Sequence, residues 1–410
     1  MFWMTGYVRI LSVLLAGSIV VTCCYACGPA SSGAVAAASE ATSAPIIRHG
    51  FLGAFYRTGT KPWGAFSPYS KGRAPEPYPT PGSKLFGPSG YCDAVAANGV
   101  SLSTGYDIDK EKLANIVDLG VKWTRTGVEP FINDTSHVFD HYSWGDFDAV
   151  QCALVRNGIT PTIAIDAGPV QYDAVPGQFT PKGYPIYKTS ADFATWCGAV
   201  AGHEKQTFPT VSRYTLPGNE VNSNPGAFPG GEPQIAEYAK ACYHALKAVQ
   251  PKAFVYGFEL NMDSRRDAVG FVGRLYDAGC KVGTCYDGLS IHLALHYPIP
   301  PPDAPCRDYG MQCVTDMQTA AHAPVHVLIG ETAYMVPANV PNETVKATAI
   351  VAEMTTFAGN KYVDGANYAN VDECDLYPSG YFVGGCIVDS LNNRLPGYAA
   401  LKTLATTAYR

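Results

Sequence analysis

Two glutamates each close a short apolar segment, a position from which a side chain can do chemistry. Glu220 ends the run at residues 213–220 (RYTLPGNE), and Glu331 ends the run at residues 325–331 (VHVLIGE). An ionisable group at the end of a buried strand is costly unless it is used. Two carboxyl groups are also what cleavage of a glycosidic bond requires, one to protonate the departing oxygen and one to attack or to activate water. The two glutamates therefore predict a paired-carboxylate site.

The elements that would position these acids alternate along the chain. Strand-like apolar segments are predicted at residues 99–102, 121–125, 159–165, 213–216, 253–258, 288–293, 326–329 and 363–368. Helical periodicity is present at residues 109–119, 143–157, 190–204, 233–249, 268–278, 314–321, 343–357 and 398–407. Eight strand–helix units over roughly 310 residues predict a (β/α)₈ barrel. A doubly wound open sheet is the alternative, but a Gly-rich phosphate turn does not follow the first strand.

In such a barrel the two glutamates close strands four and seven, which face each other across the barrel mouth. Barrel enzymes carry their chemistry where strands end and lead into the following loops. The polar residues at these positions are therefore predicted to bind or orient a substrate: Arg125, Asn219, His296, Tyr297, Asn367 and Tyr368.

Two more acids end predicted strands and are alternative candidates. Glu259 is the rival of either glutamate for a catalytic role, although its neighbour Asn261 also makes it a candidate for sugar binding. Asp166 is interpreted as a loop or ligand-binding residue.

Five segments resemble those of glycoside hydrolase clan A, the retaining (β/α)₈ glycosidases, and of families 5 and 39 in particular. They are residues 120–125 (GVKWTR), 142–148 (YSWGDFD), 219–220 (NE), 296–297 (HY) and 330–331 (GE). The resemblance covers about residues 99–410. It implies that Glu220 is the acid/base and Glu331 the nucleophile, that Arg125 keeps the nucleophile ionised, and that His296 and Tyr297 orient both carboxylates and the sugar.

The chain also departs from the family pattern. Val221 follows the Asn-Glu pair where proline is frequent, and Asn367 and Tyr368 stand where strand eight often presents a tryptophan. These departures leave the sugar open, and the choice between endo and exo action stays open as well.

The resemblance implies a retaining glycosidase that cleaves a poly- or oligosaccharide by double displacement, without a metal or an organic cofactor. Two alternatives remain: a catalytically inactive carbohydrate-binding barrel, and a transglycosylase in which a sugar replaces water as the acceptor. Only 16% of the residues are charged and the net charge is −6, so there is no basic stripe of the kind that binds nucleic acid.

The N-terminus is interpreted as a targeting segment. Residues 1–27 are predicted to be a signal peptide, because Arg9 precedes an apolar run at 10–21 that is short for a membrane span. A lipid anchor at Cys23, Cys24 or Cys27 is the alternative. Such an anchor is the one way in which the sequence predicts that the protein would associate with a membrane. Residues 28–45 are predicted to be a flexible Ala/Ser/Gly-rich linker, and residues 46–98 a loop-like extension ahead of a barrel at 99–410. The protein is thus expected to be secreted, extracellular or periplasmic.

Cysteine usage agrees with export. Three of the 13 cysteines lie in the signal region, which leaves an even number for disulfides. Metal binding is the alternative, but the cysteines outside the signal region form no C-x-x-C pair, and no histidine lies at ligand spacing beside them. Three predicted pairs are close in sequence: Cys280–Cys285, Cys306–Cys313 and Cys374–Cys386. The pairing of Cys92, Cys152, Cys197 and Cys242 stays open.

Overall fold

The structure is a computed structural model that describes residues 52–54, 92, 110–127, 144–165, 189–223, 228–262, 265–296, 311–335, 343–368, 386–389 and 393–407. All of these residues belong to one compact unit, Ser43–Arg410. The predicted signal peptide and linker lie outside the described residues.

Eight parallel strands close into a barrel in the order in which they occur along the chain. They are β1 (Leu52–Ala54), β2 (Trp123–Gly127), β3 (Thr160–Ala164), β4 (Arg213–Leu216), β5 (Phe254–Asn261), β6 (Gly288–His296), β7 (His326–Met335) and β8 (Val363–Tyr368). Each strand pairs in parallel with the next, and β1 also pairs with β8.

Eight helices follow the strands in the part of the chain that the structure describes. They are α1 (Lys110–Asp118), α2 (Gly145–Arg156), α3 (Ser190–Thr207), α4 (Gly231–Val249), α5 (Arg265–Asp277), α6 (Met311–Ala320), α7 (Glu343–Gly359) and α8 (Pro396–Thr407). Each overlaps a segment where helical periodicity predicts a helix. The (β/α)₈ barrel is therefore confirmed as the fold class.

The prediction of the first strand is wrong. The barrel is closed by Leu52–Ala54, in which Gly53 pairs with both Trp123 and Asn367. Residues 99–102, predicted to be this strand, lie outside the described residues. The barrel thus includes part of the segment at 46–98 that was interpreted as a loop-like extension. A three-residue strand centred on glycine is too short to show an apolar period, which explains the error.

The strands are apolar because a barrel buries them on both faces. Trp123, Val255, Ile291 and Val327 are all buried, and they lie on four different strands. The helices add a second apolar layer, in which Trp196 of α3 is buried. The charged groups at the ends of these strands therefore lie next to a core that is otherwise apolar.

Three disulfides are present among the described residues: Cys92–Cys152, Cys197–Cys242 and Cys280–Cys285. The third was predicted, and the first two resolve the pairing that the sequence leaves open. Cys313 and Cys386 are also disulfide-bonded, and their predicted partners, Cys306 and Cys374, lie outside the described residues. None of the helices described has the length and apolar character needed to cross a bilayer.

Candidate active site

The two predicted glutamates converge on one histidine. Nδ1 of His292 lies 3.2 Å from Oε1 of Glu220 and 3.7 Å from Oε2 of Glu331. One side-chain atom from each of the three residues lies within 4.8 Å of the other two. Glu220 lies in the turn after β4, whereas His292 and Glu331 are paired residues of β6 and β7. Barrel closure thus brings together groups that are far apart in sequence.

Exposure separates these three residues into two kinds. The side chains of Glu220 and Glu331 are 24% and 22% exposed, whereas that of His292 is 5% exposed. A ligand can therefore reach both carboxylates, while the imidazole contacts them from a buried position.

Arg125 of β2 connects the site across the barrel. Its Nη1 donates to Oε1 of Glu331 at 2.7 Å, and its Nη2 donates to Oδ1 of Asn219 at 2.9 Å. It also donates through Nε and Nη2 to the two carboxylate oxygens of Glu259. Arg125 is only 3% exposed and Glu259 is fully buried, so this ion pair is screened from solvent.

The backbone that carries two of the acids adopts an unusual conformation. Glu220 has φ +50°, and the consecutive residues Phe258 and Glu259 have φ +77° and +40°. Non-glycine residues in this left-handed region cost roughly 1–3 kcal/mol each, and they persist where the surrounding contacts hold them. One such contact is the hydrogen bond from the backbone N–H of Glu220 to the carbonyl of Glu259, at 2.9 Å.

Two asparagines hold the neighbouring backbone. Asn222 donates from Nδ2 to the carbonyl of Asn261 and accepts from its N–H at Oδ1, at 2.8 and 2.9 Å. This two-point contact extends the association of β4 with β5 past Glu220. On the opposite side, Nδ2 of Asn367 donates to the carbonyl of Gly330 at 3.0 Å. Both contacts fix the backbone next to a carboxylate of the pair.

The electrostatics of the site favour a proton on His292. Burial alone lowers the pKa of an imidazole, but the charges of Glu331, Glu220 and Glu259 and the hydrogen bond to Glu220 outweigh it. The pKa of His292 is therefore raised above its ordinary value.

A second buried acid lies beside the strand of Glu331. Thr332 donates through Oγ1 to Oε1 of Glu353 on α7, at 2.7 Å. Burial raises the pKa of Glu353 to about 8, although the hydrogen bond from Thr332 acts in the opposite direction. A carboxyl group that is neutral up to mildly alkaline pH thus lies behind β7.

The spacing of Glu220, His292 and Glu331 would also suit the ligands of a metal ion. The surrounding charges argue against that use. The guanidinium of Arg125 is already 2.7 Å from Glu331, and its positive charge would repel a metal ion bound there. The group is more simply a carboxylate pair balanced by an arginine and a histidine.

The other predicted site residues have different locations. Tyr368 ends β8 and is fully buried, in register with Thr332 of β7. His296 ends β6 in register with Met335, and nothing of its side chain is described. Asp166 and Tyr297 lie outside the described residues.

His292 is the site residue that the sequence interpretation missed. It lies inside the predicted strand 288–293, whereas a barrel is expected to carry its chemistry at the strand ends. A signal was available, because a polar ring in the middle of an apolar strand has to be compensated by contacts. Its contacts with both glutamates provide that compensation.

Comparison with known proteins supports the fold. No protein-family model and no curated protein matches the chain. Among solved structures, a family 39 glycoside hydrolase from Bacteroides cellulosilyticus WH2 is 17% identical, with a TM-score of 0.54 over 74% of this chain and 61% of that one. A monomeric beta-xylosidase from Caulobacter crescentus CB15 is 18% identical, with a TM-score of 0.54 over 72% and 64%.

A glucosidase from Croceicoccus marinus is 14% identical, with a TM-score of 0.53 over 72% of this chain and 63% of that one. The chain spans less than two thirds of the length of each of these three proteins. It is therefore a (β/α)₈-barrel protein with a paired-carboxylate site. In fold it resembles a family 39 glycoside hydrolase, one of the two families that the sequence motifs indicate.

Proposed function

We propose that the protein is a retaining glycoside hydrolase that cleaves O-glycosidic bonds by double displacement. The observation that carries this proposal is the convergence of two partly exposed carboxylates, Glu220 and Glu331, within 4.8 Å of each other. The buried residues Arg125 and His292 contact them. A pair of carboxylates alone could be structural, but structural acids are seldom left accessible and held together by buried cations.

The contacts of each carboxylate support the role that we propose for it. Glu331 accepts a hydrogen bond from the guanidinium of Arg125 and is the nucleophile in this proposal. Glu220 is paired with His292 and is the acid/base. Two carboxylates this close repel each other when both are ionised, so the site favours holding a proton. Before the reaction this proton is shared between Nδ1 of His292 and the carboxylate of Glu220, and Glu220 transfers it in the first step.

In the first step, an oxygen of Glu331 attacks the anomeric carbon while Glu220 transfers its proton to the departing glycosidic oxygen. The glycosidic bond breaks, and the sugar is held as an ester on Glu331. In the second step, Glu220 takes a proton from water, and the water oxygen attacks the anomeric carbon and releases Glu331.

The separation of the carboxylates supports retention of anomeric configuration. Retaining pairs lie about 5–5.5 Å apart, whereas inverting pairs lie about 6.5–9.5 Å apart to leave room for water. One oxygen of each glutamate lies within 4.8 Å of an oxygen of the other, and this close approach supports the shorter, retaining spacing.

The similar structures include a glucosidase, a beta-xylosidase and an exo-beta-1,4-mannosidase. We extend these to a substrate class, a glycoside in a plant or microbial poly- or oligosaccharide. The apolar run at residues 10–21 and the disulfides support an exported protein.

The test is a panel of aryl glycosides and polysaccharides, with Glu331→Ala and Glu220→Gln as variants. Both variants should lose hydrolysis of ordinary substrates by on the order of 10³-fold or more. On a dinitrophenyl glycoside, whose leaving group needs no proton, Glu220→Gln should still release dinitrophenolate in a burst, whereas Glu331→Ala should not.

A matched control is Glu232→Gln on α4, where an acid also pairs with an arginine, Arg274, at 2.6 Å but outside the site. It should keep wild-type rates. NMR of the first sugar released reports its anomeric form, and an added sugar acceptor reports transglycosylation. Wild-type activity in Glu331→Ala, or release of the inverted anomer, would contradict the proposal.

A further inference from the structure

Glu259 differs from the two partly exposed glutamates in being fully buried. Its two carboxylate oxygens accept from Nε and Nη2 of Arg125, in a side-on pair of hydrogen bonds. A two-point contact of this kind fixes the plane of a guanidinium, whose side chain otherwise has several rotatable bonds. Once the plane is fixed, the other N–H groups of Arg125 are aimed at Glu331 and Asn219.

The backbone of Glu259 contacts the other half of the pair. Its carbonyl accepts the N–H of Glu220 at 2.9 Å. The pairing of β5 with β6 shifts register between Gly257 and Leu260, and Phe258 and Glu259 within this irregularity have positive φ. A strained bulge that re-aims a side chain is a recurrent feature beside active sites. Here the bulge lets Glu259 contact Glu220 through its backbone carbonyl and act on Glu331 through Arg125.

Glu259 also sets the charge that Glu331 experiences. The single positive charge of Arg125 is shared between Glu259 and Glu331. Without the charge of Glu259, the guanidinium would act on Glu331 alone and stabilise its anion more strongly. A carboxylate held too strongly by a cation is a weaker nucleophile, because that stabilisation has to be lost as its oxygen attacks.

We propose that Glu259 is a positioning residue, which aims Arg125 at the nucleophile, shares its positive charge, and holds the backbone of Glu220. This inference rests on the proposed function for the roles of Glu220 and Glu331. Glu259 does not itself touch the substrate, so its effect is expected in turnover and in the pH profile more than in substrate binding.

The variant Glu259→Gln removes the charge and keeps the size. Its kcat on an aryl glycoside should fall roughly 10- to 100-fold while KM changes little. Both limbs of the profile of kcat/KM against pH should move to lower pH, by roughly one unit, because loss of a nearby negative charge stabilises the remaining anions. Glu232→Gln, which breaks a surface glutamate–arginine pair, should change neither quantity.

The variant Glu259→Asp keeps the charge and shortens the side chain. It should keep both limbs at their wild-type pH, with a smaller loss of kcat. If Glu259→Gln does not fold, as judged by circular dichroism and thermal unfolding, Glu259→Asp decides: wild-type kcat would overturn the proposal, and a lower kcat with unchanged limbs would support it. A folded Glu259→Gln variant with the kcat and the pH profile of the wild type would also overturn the proposal. A loss of activity that only matches the loss of folded protein would overturn it as well.

A measurement without substrate separates this inference from the proposed function. Glu259 is one of three acids that raise the pKa of His292, together with Glu220 and Glu331. In protein labelled with ¹⁵N-histidine, the titration midpoint of His292 should fall in Glu259→Gln by roughly half a unit to one unit. An unchanged midpoint would overturn the electrostatic role. If the wild type cleaves no glycoside, the proposed function fails, and this midpoint still tests Glu259.

Discussion

Gly330 lies directly against Ser290: a Cβ atom added at Gly330 would come within 2.5 Å of Oγ of Ser290 and 3.3 Å of Nε2 of His292. Both of these polar atoms are buried, and neither has a hydrogen-bond partner among the described residues. The glycine before Glu331 is therefore required by the neighbouring strand. Because Gly330 has no Cβ atom, β6 and β7 can lie close together at the point where His292 contacts Glu220 and Glu331.

Gly330→Ala is expected to displace Ser290 and His292. The free energy of unfolding should fall by roughly 1–3 kcal/mol, as for other overpacked cores, and the hydrolysis rate should fall with the loss of the His292 contacts. Urea unfolding and an aryl glycoside assay measure the two effects. Adding Ser290→Ala should recover part of both, because it removes the atom that is struck first.

The control for this substitution is Gly202→Ala in the middle of α3, where an added Cβ meets no atom within 4 Å. It should be neutral or stabilise by about 0.5–1 kcal/mol, because alanine is the better helix former. Equal stability of Gly330→Ala and Gly202→Ala would contradict the packing argument.

His292 should make stability depend on pH. Its pKa is raised in the folded state, so its protonated ring stabilises the fold. That contribution is fully present below about pH 6.5, the ordinary value, and is lost as the pH rises through the folded value. His292→Asn keeps a donor near Nδ1 and does not titrate. The stability difference between wild type and this variant, measured by urea unfolding at pH 5.5, 7 and 8.5, should shrink as the pH rises; a constant difference would refute this.

Glu353 should weaken the fold at alkaline pH. Its pKa is raised from 4.5 to about 8, so the folded state binds a proton that the unfolded state has released. Wild-type stability should therefore fall across this window relative to Glu353→Gln, by about 1.4 kcal/mol per pH unit at most. Glutamine keeps an acceptor for Thr332 and carries no charge. Thermal unfolding from pH 5 to 9 measures the difference, and the exposed Glu237→Gln on α4 should show none of it.

The disulfide Cys197–Cys242 should contribute more stability than Cys280–Cys285. The two bonds close loops with sequence separations of 45 and 5, and all four cysteines are buried. The chain-entropy model gives about 4 kcal/mol for the long loop and about 2 kcal/mol for the short one. Urea unfolding of a double alanine variant for each disulfide measures the two losses in the free energy of unfolding. Because all four cysteines are buried, the cavities left by alanine should cost similar amounts, and the difference reports the loop length. A larger loss for the short loop would contradict the model.

Much of this architecture could be predicted because the barrel repeats one simple pattern. Strands buried on both faces are apolar runs, and Gly120 and Gly158, which follow α1 and α2, have the positive φ that favours glycine after a helix. Counting the strands places Glu220 and Glu331 at the fourth and seventh, and the structure brings the two side chains together.

Other features depend on contacts that no local pattern encodes. Leu52–Ala54 is a strand because two neighbours pair with it, and its three residues show no period of their own. His292 meets the glutamates only because β6 and β7 shift register next to it. The link between Glu259 and Arg125 depends on two left-handed residues, which a sequence rich in β-branched and aromatic residues does not predict.

The hydrogen bonds of Arg125 also have a consequence for assembly. They join residues that are 94, 134 and 206 positions apart in the chain. A nascent chain that has not yet released β7 from the ribosome therefore lacks one of the two carboxylates that pair with this guanidinium. If the chain is divided between β5 and β6, each fragment should be inactive by itself, and activity should return only when the two fragments associate. Catalytic activity would then report that folding is complete.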